Sequence, residues 1–116
     1  MRLLLPVLFA LSLLAQAPQE GQKKGFEPKN LKLLQATDLR QTMGAFRAAL
    51  GVQCTYCHVK GDFASDENGK KEVARHMIEM TREINKRFPD GNMHVTCYTC
   101  HRGSEVPATS PPPAGL

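Results

Sequence analysis

The sequence predicts a small all-α domain made of two repeats of one unit: a methionine-bearing helix, a turn, and a short helix carrying Cys-x-x-Cys-His. Three observations predict it. Apolar residues recur at helical spacing in two stretches, Leu39, Met43, Phe46 and Leu50, then Val73, Met77, Met80, Ile84 and Phe88. Each stretch leads through a turn signal to a pentapeptide, Cys54-Thr55-Tyr56-Cys57-His58 and Cys97-Tyr98-Thr99-Cys100-His101, and these two use every cysteine in the chain. No alternating apolar pattern of the kind that marks strands surrounds either one.

The repeated pentapeptide is the c-type haem attachment signature. Two thiols three positions apart on a helical turn can each add to one porphyrin vinyl group, so Cys54 and Cys57 would hold one haem and Cys97 and Cys100 another. His58 and His101 then lie beneath the irons as proximal ligands. A four-cysteine zinc site fits less well, because its pairs are separated by about 15 to 20 residues, whereas 39 lie between Cys57 and Cys97. Zinc also gives no reason for a histidine after each pair, and a thioredoxin-like site needs a βαβ context. Two haems also answer a packing problem. At 116 residues, with no Trp, five Phe and two Tyr, the chain has few large side chains for a core. Two flat apolar porphyrins would act as that core.

In chain order, residues 1–17 read as a signal peptide: Arg2, an apolar run from Leu3 to Ala15, and Ala15-Gln16-Ala17 as a small-x-small cleavage site. Export follows, and a retained leader would instead associate the chain with a membrane. Residues 18–30 are polar and read as a linker, and Leu31, Leu33 and Leu34 open a dihaem domain over 31–103. Asp38 with Gln41 makes a capping-box pattern for the first helix, and Gly51 supplies its stop. Met43 sits eleven residues before Cys54, so the helix can end, turn and return beneath a haem whose other face Met43 covers. The polar run 59–69 is a loop. The second helix spans about 70–88 and is closed by Pro89-Asp90-Gly91, with Met77 and Met80 both expected on its buried stripe. Helix phase does not choose between them. His76 points off the stripe and reads as a surface residue, and His94 is too close to Cys97 to wrap to the far face of its haem. Residues 104–116, with Pro107 and Pro111 to Pro113, read as a flexible tail.

The formal charge is +4. Removing Arg2 with the leader leaves fourteen Lys and Arg against eleven Asp and Glu. Two haems bring about −4 in propionates against roughly +1 at each oxidised centre, so the loaded chain is near neutral. The basic residues are spread out, which marks no nucleic-acid binder.

The stretch GVQCTYCHVKGDFASDENGKKEVARHMIEMTREIN, followed by VTCYTCHRGSEVP, resembles the cytochrome c subunit of photosynthetic reaction centres. The likeness covers about residues 31 to 107 and goes beyond the attachment signature, in VTCYTCHRG and Met-x-x-Met-Thr-Arg-x-Ile-Asn. That family carries four haems in two pairs, and this chain looks like one two-haem half. The resemblance implies an axial Met on each helix before the turn: Met43 for the first haem and the earlier methionine, Met77, for the second. Reach agrees, since Met77 lies about 4.5 Å further from the helix end than Met80.

The expectation is therefore a small helical dihaem cytochrome c, not an enzyme, passing single electrons between a redox donor and acceptor, with a membrane complex as one candidate partner. With His58/Met43 and His101/Met77 filling both axial positions, no small-molecule substrate binds at iron. A dihaem peroxidase-like enzyme would need a distal polar group, for which Arg75, His76 and His94 are the candidates. A haem-bearing docking module of a larger complex is the third reading.

Overall fold

The computed structural model describes residues 27–115; the expected leader and most of the linker lie outside them. The described chain is helical, with α1 (Leu39–Leu50), a 3₁₀ turn (Cys54–Tyr56), α2 (Lys70–Asn85) and α3 (Cys97–His101). Among the described residues there is no strand, only one isolated bridge between Val59 and Asp62. The all-α expectation holds.

α1 begins after Asp38, but the expected capping box does not form. Asp38 sits at φ −118°, ψ 10°, away from the extended conformation that aims a capping oxygen at the first free N–H groups, and its side chain makes no cap bond. Its carbonyl accepts from the Thr42 N–H at 2.9 Å instead. Leu39, Met43, Phe46 and Leu50 are half-buried along one face. Gly51 ends the helix as predicted, at φ +66°, donating to the Arg47 carbonyl at 2.8 Å.

The tightest packing lies where α1 meets the end of α3. Ala49, 5% exposed, is the only buried hydrophobic residue among those described. Its carbonyl accepts from Gly103 N–H at 2.8 Å. Arg102 and Gly103 both take left-handed conformations, φ +52° and +83°, which swing the chain off α3 and onto α1. Gly51 faces this crossing so closely that a Cβ there would collide with the Gly103 carbonyl. α1 and α2 both pack against α3.

The first pentapeptide is not the α-helix the repeat predicts. It is a three-residue 3₁₀ turn, closed by Tyr56 N–H to Gln53 O at 3.0 Å and His58 N–H to Cys54 O at 3.0 Å. The chain arrives extended at Gln53 and bends again at once into the 59–62 bridge, leaving room for a single turn. The second pentapeptide is the five-residue helix α3, started by Thr96 N–H donating to Thr99 Oγ1 at 2.9 Å.

α2 ends at Asn85, short of the expected Phe88. Beyond it the turns tighten, with Arg87 N–H on Ile84 O and Phe88 N–H on Asn85 O. The Asn85 side chain turns the strand-like return: Oδ1 accepts from the His94 and Val95 N–H groups at 2.8 and 2.9 Å, and Nδ2 donates to the Thr81 and Val95 carbonyls at 3.0 and 2.7 Å.

A larger departure concerns which face of α2 is covered. The stripe expected to be buried is exposed, from 38% at Met77, Ile84 and Phe88 to 54% at Val73. Polypeptide covers the neighbouring face, where Lys71, Ala74, Arg75, Ile78, Thr81 and Asn85 are half-buried. That face is held by polar clasps: Arg82 donates to the Leu33 carbonyl at 2.8 Å, and Lys32, Lys71 and Arg75 converge on Asp66. Among the described residues, then, Ala49 is the one buried apolar side chain while the apolar stripe of α2 stands open.

Candidate functional site

Both pentapeptides present their histidines in the same way. His58 Nδ1 lies 3.0 Å from the Phe63 carbonyl, and His101 Nδ1 lies 2.9 Å from the Ser104 carbonyl. A carbonyl oxygen can only accept, so Nδ1 carries the proton in each ring and Nε2 keeps its lone pair for a metal. Metal-ligating histidines are oriented by such a bond from the ring nitrogen that does not face the metal. Local turns produce it twice from unlike surroundings, the 59–65 loop for His58 and the Arg102–Gly103 reversal for His101.

The four cysteines are free thiols. Cys54 and Cys100 are exposed, and Cys57 and Cys97 are half-buried, with burial pushing both of the latter thiols up; at Cys57 the Lys70 ammonium offsets part of this. A redox Cys-x-x-Cys pair depends on a depressed thiol, the opposite arrangement. Among the described residues no three His, Cys, Asp or Glu side chains converge to hold a metal ion, so the two pairs do not form a shared four-thiolate site.

Apolar surface adjoins each unit. Met43 stands half-buried on the α1 stripe. On α2, Met77 is 38% exposed and Met80 48%, with Met77 on the side of the stripe nearer the covered face. Met80, Ile84 and Phe88 line an open apolar trough with the stems of Glu83 and Arg87. The residues thus fit covalent c-type haem: paired free thiols, a pre-oriented imidazole after each pair, methionines on the preceding helices, and apolar faces that polypeptide leaves open.

The rival polar groups are engaged elsewhere. Arg75 donates to Asp66 at 2.7 Å and Glu72 at 2.9 Å. His76 is an exposed surface residue 3.3 Å from Glu72. His94 stacks on Phe88, ring centroids 4.1 Å apart, and meets Asp90 at 2.8 Å.

Three residues that sequence reasoning passed over support the site. Asn68 donates to the Tyr56 carbonyl at 3.0 Å and accepts from Lys70 N–H, joining the first pentapeptide to the start of α2. Lys71 places its ammonium on the carbonyls of Phe63, Ala64 and Ser65 at 3.1, 2.9 and 2.8 Å. Asn85 clasps the return toward α3. Asn68, just before a helix start, carries a readable cap signal; the partners of Lys71 and Asn85 are mostly distant backbone atoms, which leave no pattern.

Comparison with known proteins agrees with this geometry. The family model described as photosynthetic reaction centre cytochrome C subunit matches residues 12–111. The photosynthetic reaction center cytochrome c subunit of Thermochromatium tepidum is 42% identical over 84 residues, 66% of this chain and 20% of that protein. The subunit of Roseobacter denitrificans is 45% identical over 64 residues, 47% of this chain and 17% of that one. Cytochrome c-554 of Chloroflexus aurantiacus is 45% identical over 62 residues, 48% of this chain and 15% of its own length. The matched stretch therefore spans a fifth or less of these relatives. With the attachment signatures, the oriented histidines and a family model matching most of the chain, this protein belongs to the photosynthetic reaction centre cytochrome c subunit family.

Proposed function

We propose that this chain is an exported dihaem c-type cytochrome that passes single electrons between redox proteins. The observation that carries the reading is the duplicated histidine geometry, each Nδ1 anchored to a carbonyl and each Nε2 left to ligate, together with the exposed apolar stripe of α2. When bound, each haem supplies a one-electron iron couple. Cys54 and Cys57 would hold one haem by thioethers, with His58 and Met43 as the iron's protein ligands; Cys97 and Cys100 would hold the other, with His101 and Met77. A methionine sulfur together with an imidazole would raise the potential and leave no free position at iron, which would favour outer-sphere transfer over binding a substrate there. The engagement of Arg75, His76 and His94 argues in the same direction, since a peroxidase-like site needs a free distal polar group.

In this reading residues 1–17 are an export signal, 18–30 a linker, 31–103 the dihaem domain and 104–116 a Pro-rich flexible tail. No helix among the described residues is long and apolar enough to cross a membrane. The partners are an electron donor and acceptor, one of them a complex of the reaction-center kind that the relatives' names print.

A pyridine haemochrome assay and near-infrared spectra of the pure protein test the proposal. Two haems per chain with a Met-sulfur-to-iron band are expected; one haem, or an open-site spectrum, would overturn it. Met77→Leu should remove half of that band and lower one of the two potentials, whereas Met80→Leu, a near-isosteric swap, should cost less than about 1.5 kcal/mol and spare the band. The reverse pattern would transfer the ligand role to Met80.

A further inference from the structure

The two histidine anchors differ in one respect. The Phe63 carbonyl that accepts from His58 also accepts from the Lys71 ammonium at 3.1 Å, while among the described residues no ammonium or guanidinium donates to the Ser104 carbonyl beneath His101. Lys71 is held firmly there. Its side chain is 13% exposed, it bonds two further carbonyls, and Asp66 lies 3.2 Å away. Asp66 is itself shared with Arg75 at 2.7 Å and Lys32 at 3.3 Å, and Arg75 also pairs with Glu72, so Lys71 shares its counterion with two other cations and is the one of the three that reaches the Phe63 carbonyl.

We infer that Lys71 is a potential-setting residue that raises the His58 haem relative to the His101 haem and so gives the pair a direction. The inference rests on the dihaem reading above. A basic carbonyl pulling on the Nδ1 proton makes a proximal imidazole a stronger donor and favours the oxidised metal. The Lys71 ammonium draws on the same oxygen, leaving less of its lone-pair density for the His58 N–H. The imidazole is then a weaker donor. A half-buried positive charge also favours the centre after it has gained an electron, so both effects have the same sign. His101, anchored to Ser104 without a cation, keeps the stronger donor character. Electrons entering by either haem would settle on the His58 site.

The test is spectroelectrochemical titration of the intact holoprotein and three variants, with haemochrome counting and hyperfine-shifted proton NMR to assign each wave to its histidine. Lys71→Met should move the His58 wave alone to lower potential, changing the reduced-to-oxidised ratio at the parent's midpoint by roughly threefold to tenfold, the weight of one ordinary hydrogen bond. Lys71→Arg, which keeps charge and donor, should restore most of it. Asp66→Asn, which removes the counterion and leaves Lys71 in place, should move the same wave upward, and it carries the test if Lys71→Met fails to retain two haems. Two intact haems with neither wave displaced, or with both displaced together, would overturn the role of Lys71 while leaving the dihaem reading standing. A parent protein with fewer than two haems would overturn both.

Discussion

Replacing Gly51 with alanine should be among the most damaging single-methyl changes in this chain, and replacing Gly44 with alanine should be stabilising. Both glycines border or lie within α1, and the chemical change is identical. Gly51 holds φ +66° and its missing Cβ would strike the Gly103 carbonyl. The left-handed conformation costs a residue with a Cβ about 1–2 kcal/mol. Pushing Gly103 away endangers the Gly103–Ala49 hydrogen bond at 2.8 Å, a further ~0.5–1.5 kcal/mol. The sum, about 1.5–3.5 kcal/mol, corresponds to a fall of roughly 6–28 °C in melting temperature for a domain of this size. Gly44 is exposed within α1 and a Cβ there meets nothing within 4 Å, so alanine gains helix propensity of about 0.5–1 kcal/mol. The assay is thermal unfolding of the haem-loaded proteins by far-ultraviolet circular dichroism at equal concentration. A Gly51→Ala protein melting within about 3 °C of the parent would show that the α1–α3 crossing is not a structural constraint.

Asn85→Ala should destabilise by about 2–4 kcal/mol, because the N–H groups of His94 and Val95 lose their acceptor; Asn85→Asp, which keeps the acceptor, should cost less, and faster amide exchange at Val95 in the alanine variant but not in the aspartate one would locate the change. Asp66 gives an acid dependence. The Arg75 guanidinium first, then Asn30 and the neighbouring lysines, hold its carboxyl well below the usual carboxylate range. A depressed folded-state value contributes stability above the unfolded value near ~4 and loses it as pH falls further toward the folded one. Denaturation midpoints should hold steady from neutral pH to about 5 and decline below about 4, with Asp66→Asn flattening part of that decline. Glu72, Glu83 and Asp90, also lowered by their partners, would supply the rest.

Much of the site was legible because its chemistry is local. A Cys-x-x-Cys-His pentapeptide contains both attachment points and a ligand within five residues, so no fold is needed to place them together. Gly51, the start of α2 at Lys70, and the surface position of His76 were likewise readable from neighbours in the chain. The capping box at Asp38 failed because a cap depends on the backbone angle before the helix, which the irregular approach over 30–37 decides. The end of α2 was misplaced because apolar periodicity runs on to Phe88, whereas Asn85 stops the helix by bonding backbone ten residues away.

By itself, the sequence determined the helical class, the thiols and imidazoles, and the two apolar stripes bearing Met43, Met77 and Met80, all of which follow from spacings within one helical turn or a few. Tertiary structure alone decided which stripe faces open and which side of α2 the polypeptide covers, that Gly51 must pass beneath Gly103, and that Lys71 and His58 share the Phe63 carbonyl. The physical reason is that these depend on backbone carbonyls, which every residue carries alike; a sequence records side chains, and only folding assigns the common acceptors to particular donors.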